Sequence, residues 1–390
     1  MFNENSIFRN FDVMWKDEVV ARVRDFQIEM LDWDMLKNPL IRGVTGVEKL
    51  KVFLEDRRIT LDRDKRYKCF SSPDVCGDIE KELWETKGKS YDDSVWLRFE
   101  GCEDDCWDTV NPRKNPYDVE ERNTSLRGNQ EKWIGYDGYW YKRDMFGGEA
   151  VTEHIVTCFL KSINFYYIVD YYLMDSINVC KSDTFSYGDE VLTFDWMLKR
   201  LYNDKKYKEI INRPFNEKSI EENIDFIVDV IENFGEIDKN YIKEYLRALF
   251  YIDALVCNED RHFNNFGVIK SSFDGCISLI PFFDFGLSLG VYHDFTQKEK
   301  KKDTTAEDLK KGILLDPFDY DSNQVKKFLQ NQIDLNMNLD VFFTYLNKEV
   351  LYSRRLNIFK QLIFTELSEK DKSLFQKRLD EERNKYNGEL

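Results

Sequence analysis

Asn258-Glu-Asp260-Arg-His262-Phe-Asn-Asn265-Phe-Gly267 and, shortly after it, Pro281-Phe-Phe-Asp284-Phe-Gly286 decide how this 390-residue chain is read. Between them lie an apolar run from Phe266 to Ile269, a turn signal from Ser271 to Gly275 that ends in Asp274-Gly275, and a second apolar run from Ile277 to Ile280. Two apolar runs around an Asp-Gly turn predict an antiparallel hairpin. A hairpin returns the chain to its starting point, so Asn265 and Asp284 are expected side by side at its open end, with Asp260 nearby. Hard oxygen donors gathered in this way suit Mg²⁺ and the phosphates that accompany it. That is the chemistry of phosphoryl transfer.

The whole chain sets the frame for this pair of motifs. Hydrophobic residues make up 42% and aromatic residues 15%, enough for a folded interior of two or three subdomains. A net charge of -16 argues against a general nucleic-acid or anionic-membrane binder, while leaving room for a local basic groove. Eight cysteines and three histidines are present, with no Cys-x-x-Cys spacing, so a structural zinc site is not expected. Cys102 and Cys106 flank an acidic turn and read as loop thiols. Unpaired cysteines in apolar settings, such as Cys257, fit reduced thiols of a cytoplasmic protein. No stretch of about 20 apolar residues predicts a membrane span.

Residues 1–112 carry no motif tied to chemistry and read as an accessory domain of unknown role. They contain strands near Val19 to Val23 and Val95 to Phe99 and a helix over Gly46 to Leu54. Residues 113–185 read as a strand-rich small lobe. In it, Trp133-Ile134 and Tyr139 to Lys142 form strands around a turn, and a helix starts at Glu149 with Val151, Ile155, Cys158 and Phe159 at helical spacing. Phe165 to Leu173 reads as a buried strand. Residues 186–390 read as a helical large lobe, with helices over Glu221 to Phe234, from an Asp238 N-cap onward, and at the C-terminus. The expected fold class is α+β, two-lobed and protein-kinase-like, with an N-terminal accessory domain.

Within that layout Asp260 suits the carboxylate that orients an acceptor hydroxyl and takes its proton. Asn265 and Asp284 are the expected metal ligands. Magnesium does not favour imidazole, so His262 is assigned to structural support of the loop. Lys142, emerging from an aromatic strand, is either a snorkelling edge residue or the lysine that pairs nucleotide phosphates with a helix glutamate. Glu149 and Glu153 are its available partners, Glu153 being preferred because it lies inside the helix. Ser125-Leu-Arg-Gly128-Asn-Gln130-Glu-Lys132 offers a glycine and a lysine suited to phosphate oxygens, but with one glycine it reads by itself as a surface turn. The basic run from Lys298 to Lys302 occupies the position of an activation segment, with Thr296, Thr304 and Thr305 as its hydroxyls.

Taken together, these residues resemble the HipA-like branch of the protein-kinase-like fold, including CtkA-type bacterial kinases, over about residues 120–335. The resemblance implies a serine/threonine protein kinase dependent on ATP and Mg²⁺. Asp260 would be the base and Asn265 and Asp284 the metal ligands, with Lys142, Lys132, Gly128, Gln130 and Glu153 around ATP and Ser125 as the autophosphorylated serine. It also implies a protein substrate and, with no helix-turn-helix antitoxin fused, a separate antitoxin-like partner. Arg261 and the literal Asp-Phe-Gly depart from that pattern and are also similar to phosphoinositide kinases, so a small-molecule or lipid kinase stays open as an acceptor class. A pseudokinase acting as a binding module is the third reading.

Overall fold

A computed structural model describes residues 6–34, 37–40, 47–59, 66–90, 93–110, 130–135, 137–174, 177–186, 189–212, 219–296, 305–312, 314–317, 320–329, 333 and 335–386. In chain order the elements that matter are strands β1 (Asn10–Trp15), β2 (Glu18–Arg24) and β3 (Gln27–Met30), helices α1 (Val47–Asp56) and α2 (Ile79–Thr86), and strand β4 (Val95–Phe99). There follow α3 (Trp107–Val110), β5 (Lys132–Ile134), β6 (Trp140–Arg143), α4 (Glu149–Ser162), β7 (Tyr171–Leu173), β8 (Val179–Ser182) and β9 (Glu190–Thr193). After these come α5 (Phe194–Leu201), α6 (Asp204–Ile211), α7 (Ile220–Glu232), α8 (Lys239–Val256), β10 (Gly267–Lys270), β11 (Ile277–Leu279) and α9 (Val291–Thr296). The class is mixed α+β.

The chain divides into two compact units, whose boundaries cut across the three sequence ranges expected above. The first comprises Met1–Trp140, Ser186–Arg213 and Gly267–Ile280; the second comprises Tyr141–Phe185, Pro214–Phe266 and Pro281–Leu390. Strand pairing explains part of the difference. In the first unit the hairpin β10–β11 is antiparallel, with Val268 opposite Leu279, and β10 also pairs with β9. Gly267 sits opposite Thr193, where an added Cβ would run into the Leu192 carbonyl and lie 2.8 Å from Thr193 Cα, so only glycine allows this approach. Sequence periodicity cannot reveal such a distant pairing.

The rest of the first unit is built on an antiparallel sheet in the order β3-β2-β1-β4. Side chains alternate along β1 and β4. Phe11, Val13, Leu97 and Phe99 join Leu50, Leu54 and Leu83 of α1 and α2 in one core, whereas Met14 and Trp96 pack with Val110 on the other face.

In the second unit α4 is buried along its whole length, including its polar residues. A helix enclosed on every side is a rigid platform for what it carries. Phe159 packs edge-on against Phe359, which stacks on Phe342. His154 locks α4 to its surroundings: Nδ1 lies 3.0 Å from the Tyr171 carbonyl and Nε2 accepts from the Asn347 N–H at 3.1 Å. Burial lowers its pKa, consistent with a neutral ring that donates through Nδ1. β6, β8 and β7 lie side by side in that order. α8 is capped by Asp238, which accepts from the Tyr241 N–H, and ends at Cys257 in the left-handed conformation.

The expected strand over Phe165 to Leu173 is shorter in the structure. Only Tyr171–Leu173 is strand, and Ile168 makes an isolated bridge to Phe282. Tyr166 is exposed, and the aromatic run serves a packed connection in which Phe165 and Tyr245 both contact Phe282.

Candidate active site

All the residues in this cluster belong to the second unit. The turn before α4 contains Gly147 and Gly148, both at positive φ (92° and 100°), and its backbone N–H groups need acceptors. Glu149 supplies them, accepting from Met145 and Phe146 at 2.8 Å each and from Gly147 at 2.7 Å. Asp144 accepts from Gly148 and Ala150. Glu149 is therefore engaged by its own loop, and the glutamate one turn further on meets the lysine.

Lys142 Nζ lies 3.2 Å from Glu153 Oε1, 2.9 Å from Asp284 Oδ1 and 3.2 Å from the Tyr171 hydroxyl. It also sits 4.9 Å from the Tyr171 ring centroid. Glu153 uses its other oxygen to accept from the Phe285 N–H at 2.9 Å, so it holds the Asp-Phe-Gly backbone as well as the lysine. Burial alone would depress the Lys142 pKa, but its interactions with Asp284 and then with Tyr171 and Glu153 outweigh it and leave the ammonium well above the lysine range. Glu153 is pushed up by burial and by Asp284, against the pull of Lys142. One cation is shared by two carboxylates, and the surplus is negative. Asp284 itself has φ of 61°, a left-handed conformation that costs a non-glycine residue about 1 kcal/mol or more and is kept by these contacts.

The Asp260 loop is held from beneath by Arg261, which is fully buried. Its guanidinium bonds both oxygens of Asp253 on α8, at 2.9 and 3.0 Å. Its Nη1 donates to the Asn265 carbonyl at 3.1 Å and to the Phe283 carbonyl at 2.6 Å, and the guanidinium stacks 4.8 Å over Phe285. A single nitrogen thus joins the chain at Asn265 to the chain just before Asp284. Asn258 Nδ2 donates to Asp253, while its Oδ1 accepts from the Asp260 N–H at 3.3 Å. Asn265 Nδ2 donates to the Asp260 carbonyl at 2.8 Å. His262 Nδ1 accepts from the Asn264 N–H at 3.2 Å. Glu259, beside Asp260, has its pKa raised to about 7 by burial, against the His293 N–H that donates to it and with the Asp260 charge adding to the rise.

Other sequence-selected residues fall elsewhere. Gln130 and Lys132 belong to the first unit, and Ser125, Gly128, Thr304 and the basic run 298–302 lie outside the described residues. Thr296 donates to the His293 carbonyl, and Thr305 bonds Asp308 at the start of a helix. Among the described residues no group of three or more His, Cys, Asp or Glu side chains is arranged as a metal site; a carboxylate paired with a carboxamide is a different donor set.

Sequence reading overlooked Tyr171 and Asp253 and took Arg261 for a marker of acceptor class. Its burial and its pairing with Asp253 make it a strut of the loop. The signal was present: Asp253 is the lone acid in the apolar stretch Leu249 to Val256, and a buried acid demands a partner.

No protein-family model matches the chain, and no curated protein does. Among solved structures it is similar to two kinases of the branch its motifs resemble. One is the Helicobacter pylori proinflammatory kinase CtkA, at 16% identity and a TM-score of 0.39, covering 68% of this chain and 91% of that one. The other is HipA of the Shewanella oneidensis MR-1 toxin–antitoxin system, solved with HipB and operator DNA. That likeness has 13% identity and a TM-score of 0.45 and covers 97% of each chain. At these scores we take the functional reading from the side chains of the site and not from the likenesses.

Proposed function

We propose that this chain is an ATP- and Mg²⁺-dependent phosphotransferase that phosphorylates a serine or threonine hydroxyl of a protein, itself included. The observation that carries the reading is the placement of Lys142 between Glu153 and Asp284, beside a loop that Arg261 ties to the Asp-Phe-Gly segment. A lysine held by a helix glutamate and aimed at a metal-binding aspartate is the arrangement that receives nucleotide phosphates in kinases.

The donor set suits Mg²⁺. Asp284 offers a carboxylate inside a cluster with surplus negative charge, and Asn265 has its amide nitrogen committed to the Asp260 carbonyl, which leaves the carboxamide oxygen as an acceptor. When bound, the ion would neutralise charge on the transferring phosphates. Lys142 would supply a fixed positive charge to the same phosphates. Asp260 would orient the acceptor hydroxyl and take its proton as the new oxygen–phosphorus bond forms and the bond to the leaving ADP oxygen breaks. Lys132, Gly128 and Gln130 are proposed as further ATP contacts, His262 as support for the loop, and Ser125 as the autophosphorylated residue.

Mass spectrometry of the purified chain after incubation with Mg-ATP tests the proposal. Phosphate on Ser125, Thr296, Thr304 or Thr305 that is absent from the Asp260→Asn variant supports it. Binding of Mg-ATP by calorimetry without any transfer would instead favour a binding module. A separate antitoxin-like partner, by likeness to the HipA structure that contains HipB, is tested by co-purification from the source cell. Direct DNA contact is not proposed for a chain of net charge -16.

A further inference from the structure

Tyr171 opens β7 opposite Ser182 of β8, and its main chain is tied to α4 twice. Its N–H donates to Thr157 Oγ1 at 3.4 Å, and its carbonyl accepts from His154 Nδ1 at 3.0 Å. The same helix carries Glu153, so one rigid element sets both side chains. Tyr171 is only 3% exposed. Burying a hydroxyl costs free energy unless its oxygen is bonded. A ring that merely filled space here could be phenylalanine.

The oxygen is bonded on two sides. It accepts from Lys142 Nζ at 3.2 Å and from the Asp284 N–H at 3.4 Å. Two donors take up both lone pairs of a phenol. Burial raises the Tyr171 pKa, and the charges of Glu153 and Asp284 add to the rise against the pull of Lys142. The hydroxyl therefore keeps its proton and stays a neutral partner.

An ammonium has three N–H groups to place, and those of Lys142 meet Glu153, Asp284 and Tyr171. The three partners are not equivalent. Asp284 is the proposed metal ligand, and a carboxylate engaged by a metal has less to offer the lysine. Glu153 is fixed by the Phe285 N–H. Tyr171 is fixed by α4, and because it is uncharged it does not compete with a phosphate for the ammonium. It also grips the backbone of Asp284 where φ is 61°.

We propose that Tyr171 is a positioning residue: its hydroxyl keeps the Lys142 ammonium in place, in register with the Asp284 backbone, when Asp284 is committed to metal. The role in transfer rests on the phosphotransferase reading above. The hold on the lysine is present in the chain by itself.

Tyr171→Phe keeps the ring, 4.9 Å from Nζ, and removes the hydroxyl alone. In the full chain without nucleotide, acetylation by acetic anhydride at pH 9 is followed at Lys142 by mass spectrometry. Losing an acceptor of the charged form should speed Lys142 labelling about threefold or more. Lys161, on the same helix and paired with Asp170 at 2.7 Å, should label at an unchanged rate. With Mg-ATP, kcat/KM should fall roughly tenfold, and thermal unfolding checks that the variant folds. Unchanged labelling of Lys142, or an equal rise at Lys161 that marks a loosened helix, would overturn the proposal. An active parent with an equally active variant would overturn the role of Tyr171 alone. A parent that transfers no phosphate removes the kinase reading, and the role in transfer with it. Should Tyr171→Phe fail to fold, 3-fluorotyrosine placed at position 171 by codon suppression keeps the shape while weakening the oxygen as an acceptor. The same changes are then expected at smaller size, and parent-like values would overturn the proposal.

Discussion

Two buried charge clusters of the second unit differ in one respect. Around Arg261 the charge closes: one guanidinium, one carboxylate, and backbone carbonyls that take up remaining N–H groups. Around Lys142 it does not: one ammonium faces Glu153 and Asp284, and a neutral hydroxyl fills the third position. A closed pair does nothing further and serves as a strut. An open cluster with surplus negative charge is poised to accept a second cation, as the proposed phosphotransfer site requires. Completeness of charge, rather than burial, separates the structural cluster from the one proposed to be functional.

The largest effect should come from breaking the closed pair. Arg261→Met leaves Asp253 buried without its partner and should cost about 3–5 kcal/mol in urea denaturation, with much of that restored in Arg261→Met/Asp253→Leu. An equal loss in the single and double variants would show that the strut is not a charge pair. Lys142→Met should destabilise less, by about 1–3 kcal/mol at pH 7, because Glu153 is already pushed up and can take a proton. That deficit should shrink on acidification to pH 5.5; a deficit independent of pH would contradict the open-cluster description. Phosphoryl transfer should be lost in the same variant.

Asp284→Asn removes the surplus charge and should change stability by less than about 1 kcal/mol while abolishing transfer. The last effect appears only as pH rises and concerns Glu259. Its folded pKa of about 7 lies above its ordinary 4.5, so the fold holds its proton more tightly than the unfolded chain does. Stability from this group is complete below pH 4.5 and lost as pH rises towards 7. Glu259→Gln should match the parent near pH 4 and exceed it at pH 8 by up to about 3 kcal/mol. Parallel stability curves for the two proteins would remove Glu259 from the description.

Much of the fold was legible where one local signal sufficed. The Asp-Gly turn predicted the hairpin, Asp238 the start of α8, and the apolar spacing after Glu149 the course of α4. Choosing between Glu149 and Glu153 needed the loop that Glu149 caps, and nothing in helical spacing encodes that loop. β9 escaped because its partner lies far along the chain. Arg261 escaped because an arginine in a polar motif reads as solvated until the acid beneath it is known. Phe165 to Leu173 was over-read because aromatic residues mark burial and strand equally well, and here packing on Phe282 took the first half.

The shared acceptor geometry of Arg261 Nη1 has a mechanical reading. The carbonyls of Asn265 and Phe283 are gauged from the same atom, so the two arms that carry the proposed metal ligands do not fluctuate independently. A displacement of one is transmitted to the other, and the gap between them varies less than either position does. Such a caliper fixes a spacing rather than a position, which suits a site proposed to fit a small ion.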